Sequence, residues 1–228
     1  MTFFFLPSLA YGAKSVLRNL WLTLALSLSL LSGAAYAKPV TILALGDSLT
    51  AGYGLPEGDG LVPQLNAWLS TNGVEAKLLN AGVSGDTTAG GLSRLEWSLT
   101  PEVDAMIVLL GGNDVLRALP PASSRSNLEG ILQGAARHDL PVLLIGMKAP
   151  LNYGAAYQTA FDGMYPDLAA QYGAQLVPYY FAPLGDPTDS ANMAQYMQSD
   201  GIHPNKAGVA KIVESLGPQV QSFIATIP

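Results

Sequence analysis

A serine, a histidine and an aspartate in this chain have the types and spacing that nucleophilic catalysis requires. Ser48 follows a glycine and an aspartate at the end of an apolar run, and Asp200 precedes His203 by three residues. A serine hydroxyl is a weak nucleophile, so it needs a base within hydrogen-bond reach. Histidine accepts and returns a proton near neutral pH, and a nearby aspartate can fix its tautomer and orientation. We therefore predict a triad of Ser48, Asp200 and His203.

The choice of base is narrow, because the chain contains two histidines and no cysteine. His138 stands between a helical segment and a strand, where a histidine commonly meets a helix C-terminus. We therefore expect a structural place for His138 and the catalytic place for His203. Taken singly, each residue has a simpler explanation, since Ser48 could cap a helix and a glycine could serve a turn. The prediction depends on their combination.

Acyl transfer also needs hydrogen-bond donors directed at the oxyanion of the tetrahedral intermediate. The candidates are the backbone N–H groups of Ser48 and Gly85 and the side-chain amide of Asn113. Gly85 suits this position because it has no Cβ to obstruct close approach. We predict these three residues as the oxyanion hole.

The elements that must hold these residues are apolar strands that alternate with helices. The predicted strands are Val40–Leu45, Ala76–Leu79, Ala105–Leu110, Pro141–Gly146 and Gln175–Val177. The predicted helices are Leu61–Leu69, Leu92–Leu99, Leu128–Arg137, Ala155–Tyr172 and a last one from after Pro204 to about Phe223. Continuous apolar strands indicate a parallel sheet with helices on both faces. Ligands bind at the carboxyl ends of such strands, so the candidate loops are expected to meet there.

The first 37 residues have the three parts of a secretory signal peptide. Lys14 and Arg18 precede a short apolar run, and Ala35-Tyr36-Ala37 provides a cleavage site. The run is shorter than the roughly 20 residues that cross a bilayer, which favours cleavage over a retained anchor. We expect a signal peptide at 1–37, one mature domain at 38–228, and no stable membrane insertion after cleavage.

Composition limits the partners and cofactors that the chain could use. Apolar residues make up 49% of the chain, the formal net charge is −6, and no basic run occurs. This charge argues against a nucleic-acid partner. The lack of cysteine excludes thiol catalysis and Cys-ligated zinc, and two separated histidines give no metal-ligand cluster. No residue pattern bears on the oligomeric state.

Four sequence blocks resemble those of the SGNH/GDSL hydrolases, and they occur in the same order. They are Gly46-Asp47-Ser48-Leu49, Gly85, Gly112-Asn113-Asp114 and Asp200-x-x-His203. The resemblance extends from Val40 to about Phe223. It implies a flavodoxin-like α/β fold with three α/β/α layers and a central parallel sheet of about five strands. It also implies ester hydrolysis without a cofactor, and that Asp47 is not the acid of the triad.

Further stretches, such as Pro150 to Gly154, are similar to a bacterial periplasmic subgroup of thioesterases, lysophospholipases and arylesterases. This similarity implies a periplasmic location and a small acyl ester or thioester as substrate. In relatives the segment after Asn113 contacts the substrate. Leu116, Asn152 and Tyr153 are accordingly the expected substrate-binding residues, although such side chains could equally be ordinary packing.

The sequence also bears on several other functions. The chain has no G-x-S-x-G motif of an α/β-hydrolase. It also lacks the glycine-rich phosphate motifs of a nucleotide-binding module, which would leave Asp200 and His203 without a role. A lipid-binding member without catalysis is disfavoured by the complete triad. A carbohydrate acetylesterase remains the main alternative among the enzymes.

Overall fold

A computed structural model describes residues 1–2, 38–185 and 190–228 of this chain. The chain divides into two units, Met1–Lys38 and Pro39–Pro228. Nearly all of the predicted signal peptide lies outside the described residues. Every strand and helix within the described ranges belongs to the second unit. None of those helices is long and apolar enough to cross a membrane.

A sheet of five parallel strands forms the centre of the second unit. The strands are β1 Val40–Gly46, β2 Ala76–Gly82, β3 Ala105–Leu109, β4 Val142–Ile145 and β5 Gln175–Val177. Their spatial order is β2-β1-β3-β4-β5, and all four neighbouring pairs are parallel. All residues of β3 and β4 are buried, which explains why these strands are continuous apolar runs. The parallel sheet expected from the sequence is confirmed.

Helices of very different length connect the strands. They are α1 Ser48–Ala51, α2 Leu61–Thr71, α3 Thr88–Ser93, α4 Leu95–Ser98, α5 Gly112–Leu116, α6 Pro121–Arg137, α7 Ala155–Tyr172, α8 Ser190–Ala194 and α9 Lys206–Ile224. The strand order reverses direction after β2. Because crossover connections between parallel strands are right-handed, this reversal places α2 on one face of the sheet and α6 and α7 on the other. The predicted three-layer arrangement is therefore confirmed.

The reversal of strand order opens a crevice between the carboxyl ends of β1 and β3, which is where such sheets bind ligands. Gly46 at the end of β1 is in register with Gly82 of β2 and with Leu109 of β3. A Cβ on Gly46 would collide with the side chain of Thr50, and one on Gly82 would collide with the backbone of Ala51. Glycine at both positions therefore allows α1, which begins at Ser48, to lie directly on this edge of the sheet.

Candidate active site

Ser48 is held at the carboxyl end of β1 as the first residue of α1. The preceding Asp47 caps this helix, because its Oδ1 accepts a hydrogen bond from the backbone N–H of Leu49 at 3.0 Å. Ser48 is only 9% exposed. The turn from strand to short helix therefore fixes the backbone of Ser48 and leaves its hydroxyl at the edge of the sheet.

The imidazole of His203 joins Ser48 to Asp200. Its Nε2 lies 2.8 Å from Oγ of Ser48, and its Nδ1 lies 2.7 Å from Oδ2 of Asp200. Nδ1 donates to the carboxylate, so Nε2 is left to accept from the serine hydroxyl. The structure thus brings together all three residues of the predicted triad in one continuous chain of hydrogen bonds.

Asp200 is organised to stay ionised. Its Oδ1 accepts from the backbone N–H groups of Ile202 at 2.9 Å and His203 at 3.0 Å. The hydrogen bond from the His203 side chain, followed by these backbone bonds, lowers the pKa of Asp200 to about 2. A carboxylate at neutral pH holds the imidazole in the tautomer that leaves Nε2 free of a proton.

The loop that carries Asp200 and His203 is fastened at both ends. Gln198 donates its backbone N–H to the carbonyl of His203 at 2.8 Å, and its side-chain amide donates to the carbonyl of Tyr53 at 2.8 Å. The ring of Tyr53 lies against the imidazole, with centroids 4.7 Å apart. Asn205 caps α9 by accepting from the N–H of Gly208 at 3.0 Å. These contacts fix the position of His203 relative to α1.

Asn113 reaches the same place from the end of β3. The chain turns at Gly111, whose φ of 114° is favourable only for glycine, and α5 begins at the next residue. The side-chain amide of Asn113 donates to Oδ2 of Asp47 at 3.3 Å. The buried neighbour Asp114 accepts from the N–H and hydroxyl of Thr88 at 2.8 and 2.6 Å. These bonds hold the amide of Asn113 beside the nucleophile.

Gly85 lies in the loop after β2 with φ of 87°, a conformation that favours glycine. Its carbonyl accepts from Nη2 of Arg117 at 2.7 Å. Within the described part of the chain, no acceptor takes the backbone N–H of Gly85 or of Ser48. Gly85 is not among the described residues that line the cavity at Ser48. Its place in an oxyanion hole therefore stays a prediction.

A cavity of about 230 Å³ opens beside Ser48, Asn113 and His203. Most of its other walls are apolar side chains, namely those of Leu49, Val115, Leu116, Met147, Phe181 and Ile202. Leu116, one of the expected substrate-binding residues, therefore lines the cavity. The described residues that line the cavity do not include Asn152 or Tyr153. They lie in the 3₁₀ turn Leu151–Tyr153, next to Pro150, which does line it.

Several lining residues that follow β4 and β5 were not among the residues predicted from the sequence. Met147, Lys148 and Phe181 lie outside the recognisable motifs, and they reach the cavity only because the strands that precede them end at the same edge. Ile202 lies between the predicted Asp200 and His203, and its position beside the base was the available signal.

His138 lies outside the site, as expected. It is the residue that follows the last turn of α6, and its Nε2 is 3.0 Å from Oε2 of Glu96. Arg137 donates to the other oxygen of the same carboxylate at 2.8 Å. This cluster is exposed at the amino end of β4.

Residues 44–211 match the model of the GDSL-like lipase/acylhydrolase family. The chain belongs to this family. The match covers the nucleophile turn, the Asn113 loop and the Asp200–His203 loop, and it confirms the family predicted from the four sequence blocks. The chain is accordingly a carboxylic ester hydrolase of the SGNH type.

Relatives and a solved structure agree with this assignment. Esterase TesA of Pseudomonas aeruginosa is 38% identical over 209 residues, which cover 91% of this chain and 100% of that protein. The thioesterase 1/protease 1/lysophospholipase L1 of Escherichia coli is 35% identical over 186 residues, covering 81% of this chain and 85% of that protein. The crystal structure of AlinE4, an SGNH-hydrolase family esterase, has a TM-score of 0.67 and 45% identity, with coverage of 82% and 97%.

In this SGNH hydrolase Asp47 and Asp200 bond to different partners. Burial raises the pKa of Asp47 to about 6, against the lowering effect of its bonds with Leu49 and Asn113. Its two oxygens serve the helix cap and the Asn113 amide, whereas Nδ1 of the imidazole bonds to Asp200. This arrangement agrees with the expectation that Asp47 is not the acid of the triad.

Proposed function

We propose that this SGNH hydrolase cleaves acyl esters and thioesters through an acyl-enzyme on Ser48. His203 takes the hydroxyl proton while Oγ forms a bond to the carbonyl carbon of the substrate. The oxyanion of the tetrahedral intermediate accepts from the N–H groups of Ser48 and Gly85 and from the amide of Asn113. On collapse, His203 returns the proton to the leaving alcohol or thiol.

The second half of the reaction repeats these steps with water as the nucleophile. His203 takes a proton from water as its oxygen attacks the acyl carbon, and Oγ of Ser48 leaves with that proton. A carboxylic acid is released and the serine is restored. Asp200 stays ionised throughout and stabilises the imidazolium that forms in each half.

The observation that carries this proposal is the pair of hydrogen bonds from His203, at 2.8 Å to Ser48 and 2.7 Å to Asp200. We expect Ser48→Ala to abolish turnover without loss of the fold, and a serine-directed phosphonate to label Ser48. Ser84→Ala, in the neighbouring loop, is the control and should keep activity and labelling. Mass spectrometry of the labelled peptide decides the point, and a phosphonate on Ser84 or Ser199 would contradict the assignment.

For the substrate, we propose medium acyl chains on phenolic or thioester leaving groups. The apolar walls of the cavity support this choice, because each buried methylene contributes about 0.8 kcal/mol, or roughly a fourfold gain in kcat/KM. The optimum is expected at about six to ten carbons, since a cavity of this limited size stops rewarding additional methylenes. A carbohydrate acetylesterase would instead need several hydrogen-bonding side chains around a polar leaving group.

The test is kcat/KM along a p-nitrophenyl ester series from acetate to palmitate, measured beside acyl-CoA, lysophospholipid and acetylated xylan. We expect medium chains to exceed acetate by about tenfold or more. In Leu116→Ala, which shortens one wall, this preference should shrink while hydrolysis of acetate is retained. A maximum at acetate, or acetylated xylan as the best substrate, would support the acetylesterase instead.

We further infer that residues 1–37 direct export and are removed, and that the mature enzyme acts in the periplasm. The basic residues, apolar run and Ala35-Tyr36-Ala37 site support this inference. Cell fractionation and N-terminal sequencing test it, with Lys38 expected as the first residue of a protein free of the membrane. Recovery of residues before Ala37 on membrane-bound protein would indicate a retained anchor.

A further inference from the structure

The carbonyl of Gly46 marks the point where β1 passes into the nucleophile turn. It accepts the backbone N–H of Val83 at 3.0 Å, which ties it to the loop after β2. It also accepts from Nη2 of Arg94 at 2.8 Å. Arg94 is 48 residues away in the sequence, between α3 and α4. A guanidinium therefore bonds directly to the peptide that leads into Ser48.

The same guanidinium bonds to the residue after Gly85. Nε of Arg94 lies 2.6 Å from Oδ2 of Asp86, and the two side chains are only 17% and 19% exposed. The Asp86 carboxylate also lies against α3. A Cβ added to Gly90 in that helix would come within 2.6 Å of Oδ1 of Asp86. Glycine at position 90 leaves the room that this carboxylate occupies.

Arg94 thus connects the two loops that carry the backbone donors of the oxyanion hole. The planar guanidinium bonds through Nη2 to the carbonyl of Gly46, and through Nε to the carboxylate of Asp86. The donors of a guanidinium are fixed relative to one another, and an ion pair that is mostly shielded from water is little screened. Asn113, the third donor, is held separately by Asp47 and Asp114.

We propose that Arg94 is a positioning residue that sets the separation between the N–H of Ser48 and the N–H of Gly85. The inference rests on the proposed function, in which these two groups bind the oxyanion. Donors in an oxyanion hole act only when they are placed before the charge develops. An error of about 1 Å from a change outside the reacting centre can cost roughly 10²-fold in rate.

The test separates positioning from general stability by measuring kcat and KM on a p-nitrophenyl ester, well below the midpoint of thermal unfolding. Arg94→Gln and Arg94→Lys are expected to lower kcat by about 10- to 100-fold with little change in KM. Lysine keeps the charge but is a point donor that cannot span both partners. Asp86→Asn, which keeps an acceptor oxygen, should show a smaller loss of the same kind. The rate of inactivation by the phosphonate should fall in parallel with kcat.

Arg125→Gln is the matched control, because Arg125 pairs with Asp167 at 3.1 Å on the exposed surface of α6 and α7. It should change kcat by less than about twofold. If Arg94→Gln does not fold, Arg94→Lys and Asp86→Asn still decide the matter. A kcat close to wild type in the Arg94 variants that fold, with only the unfolding temperature lowered, would overturn the inference. Activity in Ser48→Ala would overturn the proposed function itself, so the two failures are distinct.

Discussion

His203 and His138 each bond to a carboxylate, yet their surroundings differ in every other respect. Nδ1 of His203 lies 2.7 Å from Asp200, and Nε2 of His138 lies 3.0 Å from Glu96. The His203 side chain is 15% exposed and that of His138 is 46% exposed. One histidine lies at the carboxyl end of the sheet, and the other lies at the amino end.

The difference between them lies in what the rest of each ring contacts. The second nitrogen of His203 faces the hydroxyl of Ser48 at 2.8 Å. Glu96, in contrast, is shared between His138 and Arg137, and no described hydrogen bond connects this histidine to a hydroxyl. A histidine–carboxylate pair is therefore no sign of catalysis by itself. The decisive feature is a free ring nitrogen aimed at a nucleophile.

The largest difference in kcat is expected between the variant that lacks the His203 imidazole and the variant that lacks the His138 imidazole. His203→Ala should lower kcat by about 10³-fold or more, because Ser48 loses the base that activates it. His138→Ala should stay near wild type. Steady-state kinetics on one p-nitrophenyl ester measures both. Similar losses in the two variants would place the active site elsewhere.

A smaller loss is expected at the oxyanion hole. Asn113→Ala should lower kcat by about 10²- to 10³-fold with little change in KM, because this donor bonds most strongly to the charge of the transition state. Asn72→Ala is the control, since it removes the same amide at the end of α2, where it bonds to the carbonyl of Trp68. A rise in KM with kcat intact would make Asn113 a ground-state binding residue.

The carboxylates of Asp200 and Glu96, which bond to the two histidines, are expected to differ in their effect on kcat. Asp200→Asn should lower kcat by about 10²-fold or more, since the imidazole loses the acceptor that holds its tautomer. Glu96→Gln should leave kcat unchanged, because His138 takes no part in the reaction. Equal rates in Asp200→Asn and wild type would show that the serine–histidine pair acts without its acid.

The smallest effect is expected on stability, through the pH dependence that Asp200 gives to the unfolding temperature. The pKa of Asp200 is lowered from 3.8 to about 2, so its contribution to folding is present above about pH 4 and is lost as the pH falls through 2. The difference in unfolding temperature between wild type and Asp200→Asn should therefore be largest above pH 4 and shrink as the pH falls through 2. Thermal unfolding followed by circular dichroism measures it. A difference that grows towards pH 2 would contradict the assignment of this pKa.

Much of the fold follows from the sequence because buried parallel strands are continuous apolar runs. Helix α7 was predicted at its observed bounds, with Pro166 inside it, and the strands differ from prediction only at their ends. The predicted helical stretch near Leu92–Leu99 is helical but is not one continuous helix. The structure has α3 and α4, separated at Arg94, whose backbone leaves the helix while its side chain bonds to Asp86 and Gly46.

The site was predictable where its residues form a recognisable catalytic combination, and not where a residue only holds a loop in place. Ser48, His203 and Asp200 have types that few structural positions require together. The supporting bonds of Arg94 and Asp114 depend on loops that are distant in sequence and meet only in the folded sheet. The cavity walls of Met147 and Phe181 are ordinary apolar residues. Only their arrangement in space makes them part of a site.

The hydrogen bond between Ser48 and His203 joins residues 155 positions apart, and this separation has a consequence for the life of the polypeptide. Contacts between distant parts of a chain form late, because the intervening loop must first be ordered. Ser48 is made early in synthesis, and its base arrives only with the last segment and the docking of α9. On the proposed assignment, a nascent chain that has not yet placed His203 beside α1 has no hydrolytic activity. Acyl esters and thioesters are therefore hydrolysed only once the sheet and the loop before α9 have come together.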